Sequence, residues 1–280
     1  MSLAHRPVGS ALRGGVTVAV VLLLLAGCQQ SWTGGNGGAG GNGADGTGGA
    51  PGAPGSPGTD AGPADPPTGS GHPVAVHVPV PGVTTLVVEA GFTVHVHIGE
   101  PEQAIVRMDD NVTGMVEARV DGARLRLGLR PGAAVREATL SAEVTVRHLD
   151  QVTAGGASQV RFDSDLIGDN LLLTAAGKSE IGGPIRMTRT QAGVSGASRL
   201  ALSGQVGRLQ VAASGASELT LSALAVTDLD ATLSGASHAD TAVSGTLAGE
   251  VSGASSLRYR GSPRTVRRQV TGASSIDQVR

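Results

Sequence analysis

The sequence predicts an all-β protein whose main part is a single-stranded parallel β-helix with coils of about 19 residues. Three observations support this prediction. A "GAS" tripeptide or a close variant recurs at separations of 18 to 21 residues, apolar residues flank every copy at fixed positions, and segments with period-two alternation precede the repeats. Short strands joined by glycine corners have this period when each coil hydrogen-bonds to the next.

The composition is unusual for a folded chain. Of the 280 residues, 44 are glycine and only 4 are aromatic, and the formal net charge is −2. Small and β-branched side chains must therefore fill the core, which suits stacked strands. The near balance of charge gives no overall basic surface, so we expect no nucleic-acid partner.

Residues 1–27 have the parts of a bacterial signal peptide: a basic start, an apolar run from residue 16 to 26, and the ending Leu25-Ala26-Gly27-Cys28. The apolar run is shorter than the roughly 20 residues that span a bilayer. The "LAGC" ending resembles the lipobox of bacterial lipoproteins, which implies cleavage before Cys28 and attachment of lipid to its thiol. The only cysteine is Cys28, so no internal disulfide can form. We therefore predict export and lipid anchoring to a bacterial membrane, in the cell envelope or at the surface.

Residues 28–72 are predicted to be a disordered tether. From residue 33 to 72 there is no Val, Leu, Ile, Met or aromatic residue, and 22 of the 40 positions are Gly or Pro. Such a segment cannot bury a core. Placed after a lipidated cysteine, it would hold the folded part away from the membrane.

Residues 73–150 are predicted to form an N-terminal β region. Segments such as "VAVHVPV", "FTVHVHI" and "ARLRLGL" alternate apolar and polar residues, which is typical of strands with one buried face. Asp121-Gly122 and Pro131-Gly132 are turn signals between them. After the signal peptide no segment has a convincing helical period.

Residues 151–280 contain the repeats, which predict seven coils. A β-propeller blade needs about 40 residues, twice this period, and leucine-rich repeats have an asparagine ladder that is missing here. The predicted corners are Gly156 and Ser158, Gly177 and Ser179, Gly196 and Ser198, Gly215 and Ser217, Gly235 and Ser237, Gly253 and Ser255, and Gly272 and Ser274.

The repeated serine is interpreted as structural. Glycine supplies backbone angles closed to other residues, and a serine hydroxyl can bond to the neighbouring coil. A nucleophile elbow needs G-x-S-x-G, but Leu200 stands where the second glycine should follow Ser198. "AAGKSE" around Lys178 resembles a phosphate loop, but Leu172 replaces its first glycine. The sequence leaves open whether the serines face the core or the solvent.

Three other clusters are weaker candidates. His95 and His97 share a strand face and could bind a metal with His77, but a solvated face is favoured. The residues Asp163, Asp165 and Asp169 resemble a calcium loop without its glycine and glutamate. We therefore predict no metal site and no cofactor. The third cluster, which could meet an anionic polymer or simply protect a terminal edge, comprises Arg258, Arg260, Arg264, Arg267 and Arg268.

Residues 88–129, the segment "LDQVTAGGASQV" and the later "SGAS" coils resemble the auto-transporter adhesin head GIN domain family (DUF2807). The resemblance covers about residues 80–280. Its most specific elements are Asp109-Asp110-Asn111 and the serial "SGAS". It implies a right-handed parallel β-helix at the bacterial surface or in the envelope, and it carries no catalytic residues.

The leading hypothesis is a lipid-anchored, non-enzymatic scaffold for adhesion or envelope interactions, with an envelope polymer, a glycan or a protein as ligand. A polysaccharide-acting enzyme of the pectin-lyase type is an alternative, which the few aromatic residues disfavour. Another alternative is an envelope sensor or assembly partner. Because the sequence stops at Arg280, soon after the last repeat, its terminal edge could bind a protein or a second copy.

Overall fold

The computed structural model describes residues 65–280. The predicted signal peptide, Cys28 and most of the predicted tether lie outside the described residues. Within this range all 17 strands belong to one sheet, and the single helical element is a 3-10 turn at Asp110–Val112. None of the described residues forms a helix with the length and apolarity to cross a membrane.

The strands of the N-terminal part are short, and those of the repeats are longer. The first nine are β1 (Pro73–Pro79), β2 (Thr85–Val88), β3 (Thr93–Ile98), β4 (Gln103–Asp109), β5 (Val116–Asp121), β6 (Arg124–Leu129), β7 (Leu140–Val146), β8 (Gln151–Ala154) and β9 (Gln159–Phe162). The others are β10 (Leu166–Ala175), β11 (Glu180–Val194), β12 (Arg199–Ala213), β13 (Glu218–Leu233), β14 (His238–Val251), β15 (Ser256–Arg260), β16 (Thr265–Val270) and β17 (Ser275–Gln278).

From β8 onward the chain winds into stacked coils, and every pairing between coils is parallel. Equivalent repeat residues lie side by side: Ile181 pairs with Leu200, and Leu200 with Leu219. The prediction of an all-β, parallel β-solenoid is confirmed. Its regularity follows from the repeat, because a fixed period brings the same residue type to the same place in each coil.

The core runs along the inside of the stack. The apolar residues two before and four after each corner glycine are buried, apart from Val270 in the last coil, which is 43% exposed. Alanine, valine and leucine fill most inward positions, and the three aromatic residues of the described part, Phe92, Phe162 and Tyr259, are all buried. Buried and exposed residues alternate along most strands, as the period-two pattern requires, while β1 and β16 are exposed along nearly their whole length.

The N-terminal part caps the stack in an order that differs from the chain order. Strand β6 lies outside β2, and β7 lies outside β3, so the first coil is enclosed between later strands. The cap then turns antiparallel, because β4 pairs with β7, β1 pairs with β4, and β5 pairs with β6. Strands β1 and β5 are therefore the outermost strands at this end.

Residues 65–72, which the sequence places in the tether, are hydrogen-bonded to this cap. The Asn111 side chain accepts from the Ser70 amide at 3.1 Å and donates to the Thr68 carbonyl at 2.8 Å. The Ser70 hydroxyl donates to Asp110, and the Gly69 amide donates to the Arg136 carbonyl. Two residues of the Asp109-Asp110-Asn111 motif thus tie the incoming chain to the N-terminal end of the stack.

Candidate functional site

The corner glycines stack directly on one another. From Gly177 to Gly272 their φ angles are between +72° and +80°, a region that residues with a Cβ rarely adopt. The backbone ladder continues through the corners: the Ala216 amide donates to the Gly196 carbonyl, and the Ala236 amide to the Gly215 carbonyl, both at 2.7 Å. A Cβ at Gly215 would lie 2.5 Å from that Gly196 oxygen. Conformation and stacking therefore both require glycine.

The corner serines face the core. Six of them, from Ser158 to Ser255, are at most 1% exposed, while Ser274 in the last coil is half-buried. The Ser198 hydroxyl donates to the Ser195 carbonyl at 2.8 Å and accepts from the Ser179 amide at 3.3 Å. The hydroxyl therefore bonds to backbone in its own coil and in the neighbouring coil. These serines are not available as nucleophiles.

The residue between glycine and serine is exposed at every corner. It is alanine in six copies and lysine at Lys178. Because this position touches solvent, the longer lysine side chain fits without disturbing the coil. Strand β11 begins two residues after Lys178, at Glu180, so the helix that a phosphate loop requires is not there.

The two histidines of β3 meet an acid that the spacing did not predict. His95 Nδ1 lies 2.8 Å from Asp163 Oδ2, and His97 Nε2 lies 3.6 Å from the same oxygen. His77 lies on β1, which is separated from β3 by β4 and β7, so it does not join them. Within residues 65–280 no three His, Cys, Asp or Glu side chains are arranged to hold a metal ion.

The three aspartates that resemble a calcium loop engage different partners. Asp163 contacts the histidines, Asp165 accepts from Arg186 Nε at 2.8 Å, and Asp169 accepts from the Thr188 hydroxyl at 3.1 Å. Asp163 and Asp165 lie in the turn between β9 and β10, and the Asp169–Thr188 contact joins two neighbouring strands on the outer surface.

Residues 83–263 match the family described as "Putative auto-transporter adhesin, head GIN domain" (DUF2807). The match includes the Asp109-Asp110-Asn111 turn and six of the seven corners, and it spans more than half of the 280 residues. The chain belongs to this family. Membership indicates, at a coarse level, a surface protein with an adhesion-type, non-enzymatic role.

Solved structures share the fold of this head GIN domain. A "putative adhesin" from Bacteroides fragilis superposes with a TM-score of 0.69 at 16% identity, over 76% of this chain and 99% of that one. A "putative adhesin" from Parabacteroides distasonis gives 0.64 at 17%, over 77% and 100%. A "putative lipid binding protein" from the same species gives 0.64 at 14%, over 76% and 99%. No curated protein matches the sequence.

Two charged residues on the middle coils of the head GIN domain have close partners on the neighbouring strand. Arg199 Nη2 lies 2.6 Å from Glu218 Oε2, and this hydrogen bond and the opposite charge raise the pKa of Arg199. The carboxylate of Asp228 accepts from the hydroxyl and the amide of Thr246, at 2.7 and 3.0 Å, which lowers the pKa of Asp228.

On the terminal coils of the head GIN domain, the arginines outnumber the acids beside them. We define the outer surface of the strand segments that follow each corner as the post-corner face. On it, Arg258 lies 4.0 Å from Asp240. No acid of residues 65–280 lies within ion-pair distance of Arg260, Arg264 or Arg267.

The remaining arginine of the cluster, Arg268, has a structural position. It stands at an inward position of β16, opposite Gly249, where no further described coil covers the core. Its guanidinium lies 5.6 Å from the centre of the Tyr259 ring and donates to the Tyr259 hydroxyl. Arg268 therefore covers the last aromatic side chain of the core by a cation-π contact and a hydrogen bond.

Strand β1 is protected against the addition of another strand. The Val80 amide donates to the Glu102 carbonyl, and the Asp110 amide donates to the His72 carbonyl. The even-numbered residues of β1 therefore form their backbone hydrogen bonds with β4, and the odd-numbered residues direct their backbone groups to the open edge. These four residues are Pro73, Ala75, His77 and Pro79. Two of these four residues are prolines and carry no N–H. An edge with so few donors is a poor template for pairing.

Proposed function

We propose that this chain is a lipid-anchored, non-enzymatic head domain that displays a rigid β-solenoid at the bacterial envelope for adhesion. The family supports the adhesion-type role. The lipobox-like Cys28 and the Gly/Pro-rich residues that follow it support the anchor. A lipid on Cys28 would hold the chain at a membrane, and several acyl chains would hold it stably, since one chain alone binds only marginally.

One observation carries the proposal: the chain enters the solenoid at a single end and is tied there. Residues 67–72 are bonded to the N-terminal cap, while the arginine-rich coils of β15 to β17 are at the opposite end of the stack. The row of strands that forms the post-corner face continues through the cap and comprises eleven strands from β1 to β17. At 4.8 Å between neighbouring strands, its length along the stack is about 48 Å. A tether fixed at one end presents the other end outward.

The polysaccharide-acting alternative has less support. That chemistry needs converging carboxylates, and Asp163 and Asp165 are engaged by histidine and arginine partners on a flat outer surface. Sugar-binding enzymes also present aromatic platforms, and the aromatic residues of the described part are buried. An interaction surface is favoured over a catalytic cleft.

Lipid anchoring is tested by metabolic labelling with palmitate in a bacterial host. We expect the wild-type chain to incorporate the label and to sediment with membranes. The Cys28→Ala variant should incorporate none and should appear in the soluble fraction after cell lysis. Unlabelled wild-type protein, or a variant that remains with the membranes, would count against the anchor.

Adhesion is tested with the exported chain lacking its lipid, as Cys28→Ala. Binding to whole cells and to immobilised envelope polymers and glycans is measured by surface plasmon resonance. We expect saturable binding to at least one of these surfaces. Failure to bind any of them would refute adhesion and leave the anchoring result standing.

A further inference from the structure

A depression on the post-corner face lies within the terminal coils. It encloses about 100 Å³ and is lined by Ser222, Asp240, Thr241, Arg258, Arg260 and Val279. These residues come from four successive strand layers, β13, β14, β15 and the segment after β17. All but Thr241 and Val279 are exposed. The depression thus combines two guanidinium groups, a carboxylate and a hydroxyl in a space the size of one small chemical group.

The depression exists because two coils are out of step. Between β13 and β14, Leu221 pairs with Thr241 but the next pair is Ala225 with Ala242, so Ser222, Ala223 and Leu224 bulge from the ladder. The coil that contains this bulge has 20 residues, and the next coil has 18 instead of 19. Bulges re-aim side chains and are common beside functional sites. Here the bulge supplies the wall that carries Ser222.

The charges around the depression are incompletely matched. Asp240, Arg258 and Asp277 are register partners in successive strands, so an acid lies on each side of Arg258. Arg260 lies two residues beyond Arg258 on β15, where its register partner is Ala242. Among the described residues, the Arg260 guanidinium therefore has no ion-pair partner. The Asp240 carboxylate accepts no hydrogen bond from these residues and can accept one from a ligand.

We propose that this depression binds the carboxylate of one acidic sugar residue in an anionic polysaccharide, with the sugar ring lying at its rim, a proposal that rests on the adhesion function above. Arg258 and Arg260 bind the sugar carboxylate, because a guanidinium matches a carboxylate in charge and geometry. The Asp240 carboxylate and the Ser222 hydroxyl accept from the sugar hydroxyls. The buried aromatic residues leave no platform for stacking a base or the face of a neutral sugar. Charge and hydrogen bonds therefore select the ligand.

The test uses Cys28→Ala protein and isothermal titration calorimetry with oligogalacturonate, a carboxylated sugar polymer. A neutral galactan of equal length and polyglutamate, which has carboxylates without sugar hydroxyls, are the comparison probes. We expect binding to oligogalacturonate, and binding at least tenfold weaker to both comparison probes. Equal binding to polyglutamate, or no binding to oligogalacturonate, overturns the proposal. If the protein still adheres to other surfaces, the adhesion function survives that result.

Two variants place the site. Arg258→Gln with Arg260→Gln should weaken binding to oligogalacturonate by about tenfold or more, since two charged contacts are lost. The matched control, Arg189→Gln with Arg208→Gln, removes the same charge from exposed positions on a different face and should leave affinity within about twofold. Equal loss in both variants would indicate general attraction and overturn the site.

The Asp240→Asn variant distinguishes hydrogen bonding to the sugar hydroxyls from simple electrostatic attraction of a polyanion. It makes the depression more positive, so simple attraction of a polyanion would become stronger. The asparagine keeps one acceptor oxygen but makes no charge-assisted hydrogen bond, so oligogalacturonate binding should instead weaken by about threefold to tenfold. Unchanged or tighter binding by a variant with the wild-type circular dichroism spectrum overturns the proposed role of Asp240.

Discussion

Replacing Gly215 with alanine tests whether direct stacking of the corner backbones requires glycine. Gly215 has a φ of +79°, which costs an alanine about 1–2 kcal/mol. Its Cβ would lie 2.5 Å from the Gly196 oxygen, and moving the two coils apart costs about 1–3 kcal/mol more. We expect Gly215→Ala to lower the free energy of unfolding by about 3 kcal/mol.

Gly177→Ala is the matched control. Its φ is +80°, but the nearest atom to its Cβ would be the Gly156 nitrogen at 3.5 Å, an ordinary contact. This variant should carry the conformational cost alone, about 1–2 kcal/mol. In a domain of this size 1 kcal/mol shifts the melting temperature by about 2–4 °C. Urea and thermal unfolding, followed by circular dichroism in the β-sheet band, measure both variants.

The comparison has a clear adverse result. If Gly177→Ala and Gly215→Ala lose equal stability, the backbone conformation explains the glycines and the stacking contact does not. If Gly215→Ala is as stable as the wild type, the corner geometry itself is wrong. Gly193→Ala, at an outer position with open space around it, should stabilise by about 0.4–1 kcal/mol and shows that alanine is tolerated elsewhere.

Three further predictions concern single side chains. The buried Thr241 hydroxyl has no partner among the described residues, so Thr241→Val should stabilise by about 1 kcal/mol in urea unfolding; destabilisation would mean that the hydroxyl has a partner. Ser198→Ala leaves the Ser179 amide without its acceptor and should cost about 1–3 kcal/mol, whereas a neutral result would contradict the inward hydrogen bonds. The Asp228 pKa lies below its ordinary 3.8, so the carboxylate stabilises the fold at neutral pH. This contribution declines as pH falls through 3.8 toward the lower folded value. Asp228→Asn should therefore be less stable than wild type at pH 7, with the difference shrinking at pH 3; a constant difference would argue against it.

The repeats could be predicted from sequence because the same local requirement recurs in every coil. Each corner requires a positive φ, and most corners leave no room for a Cβ, so glycine recurs at every corner. The apolar residues on either side of it indicate the core. The orientation of the serines could not be predicted, because counting by twos through a corner needs its geometry. In the structure Gly196 and Ala197 turn outward while Ser198 returns inward.

The cap could not be predicted for a different reason. Strands β2 and β3 pair on their outer side with β6 and β7, whose partner residues come 39 and 48 residues later, as in Thr85 with Arg124 and Thr93 with Ser141. No local sequence pattern indicates which distant strand is the neighbour. The contact of Asp163 with His95 and His97 has the same origin, since it joins β3 to the end of β9. The depression beside Arg260 depends on a register shift, and only the unequal coil lengths of 20 and 18 residues signalled it.

The orientation of the strands determines how the head responds to a mechanical load. Strands lie across the stack, so a pull between the tether and the terminal coils acts along the hydrogen bonds that join one coil to the next. Such a load is borne by one interface at a time, and each coil of 19 residues that detaches would lengthen the chain by about 65 Å. Under tension the domain would lengthen in steps, dissipating work while the remaining coils stay folded.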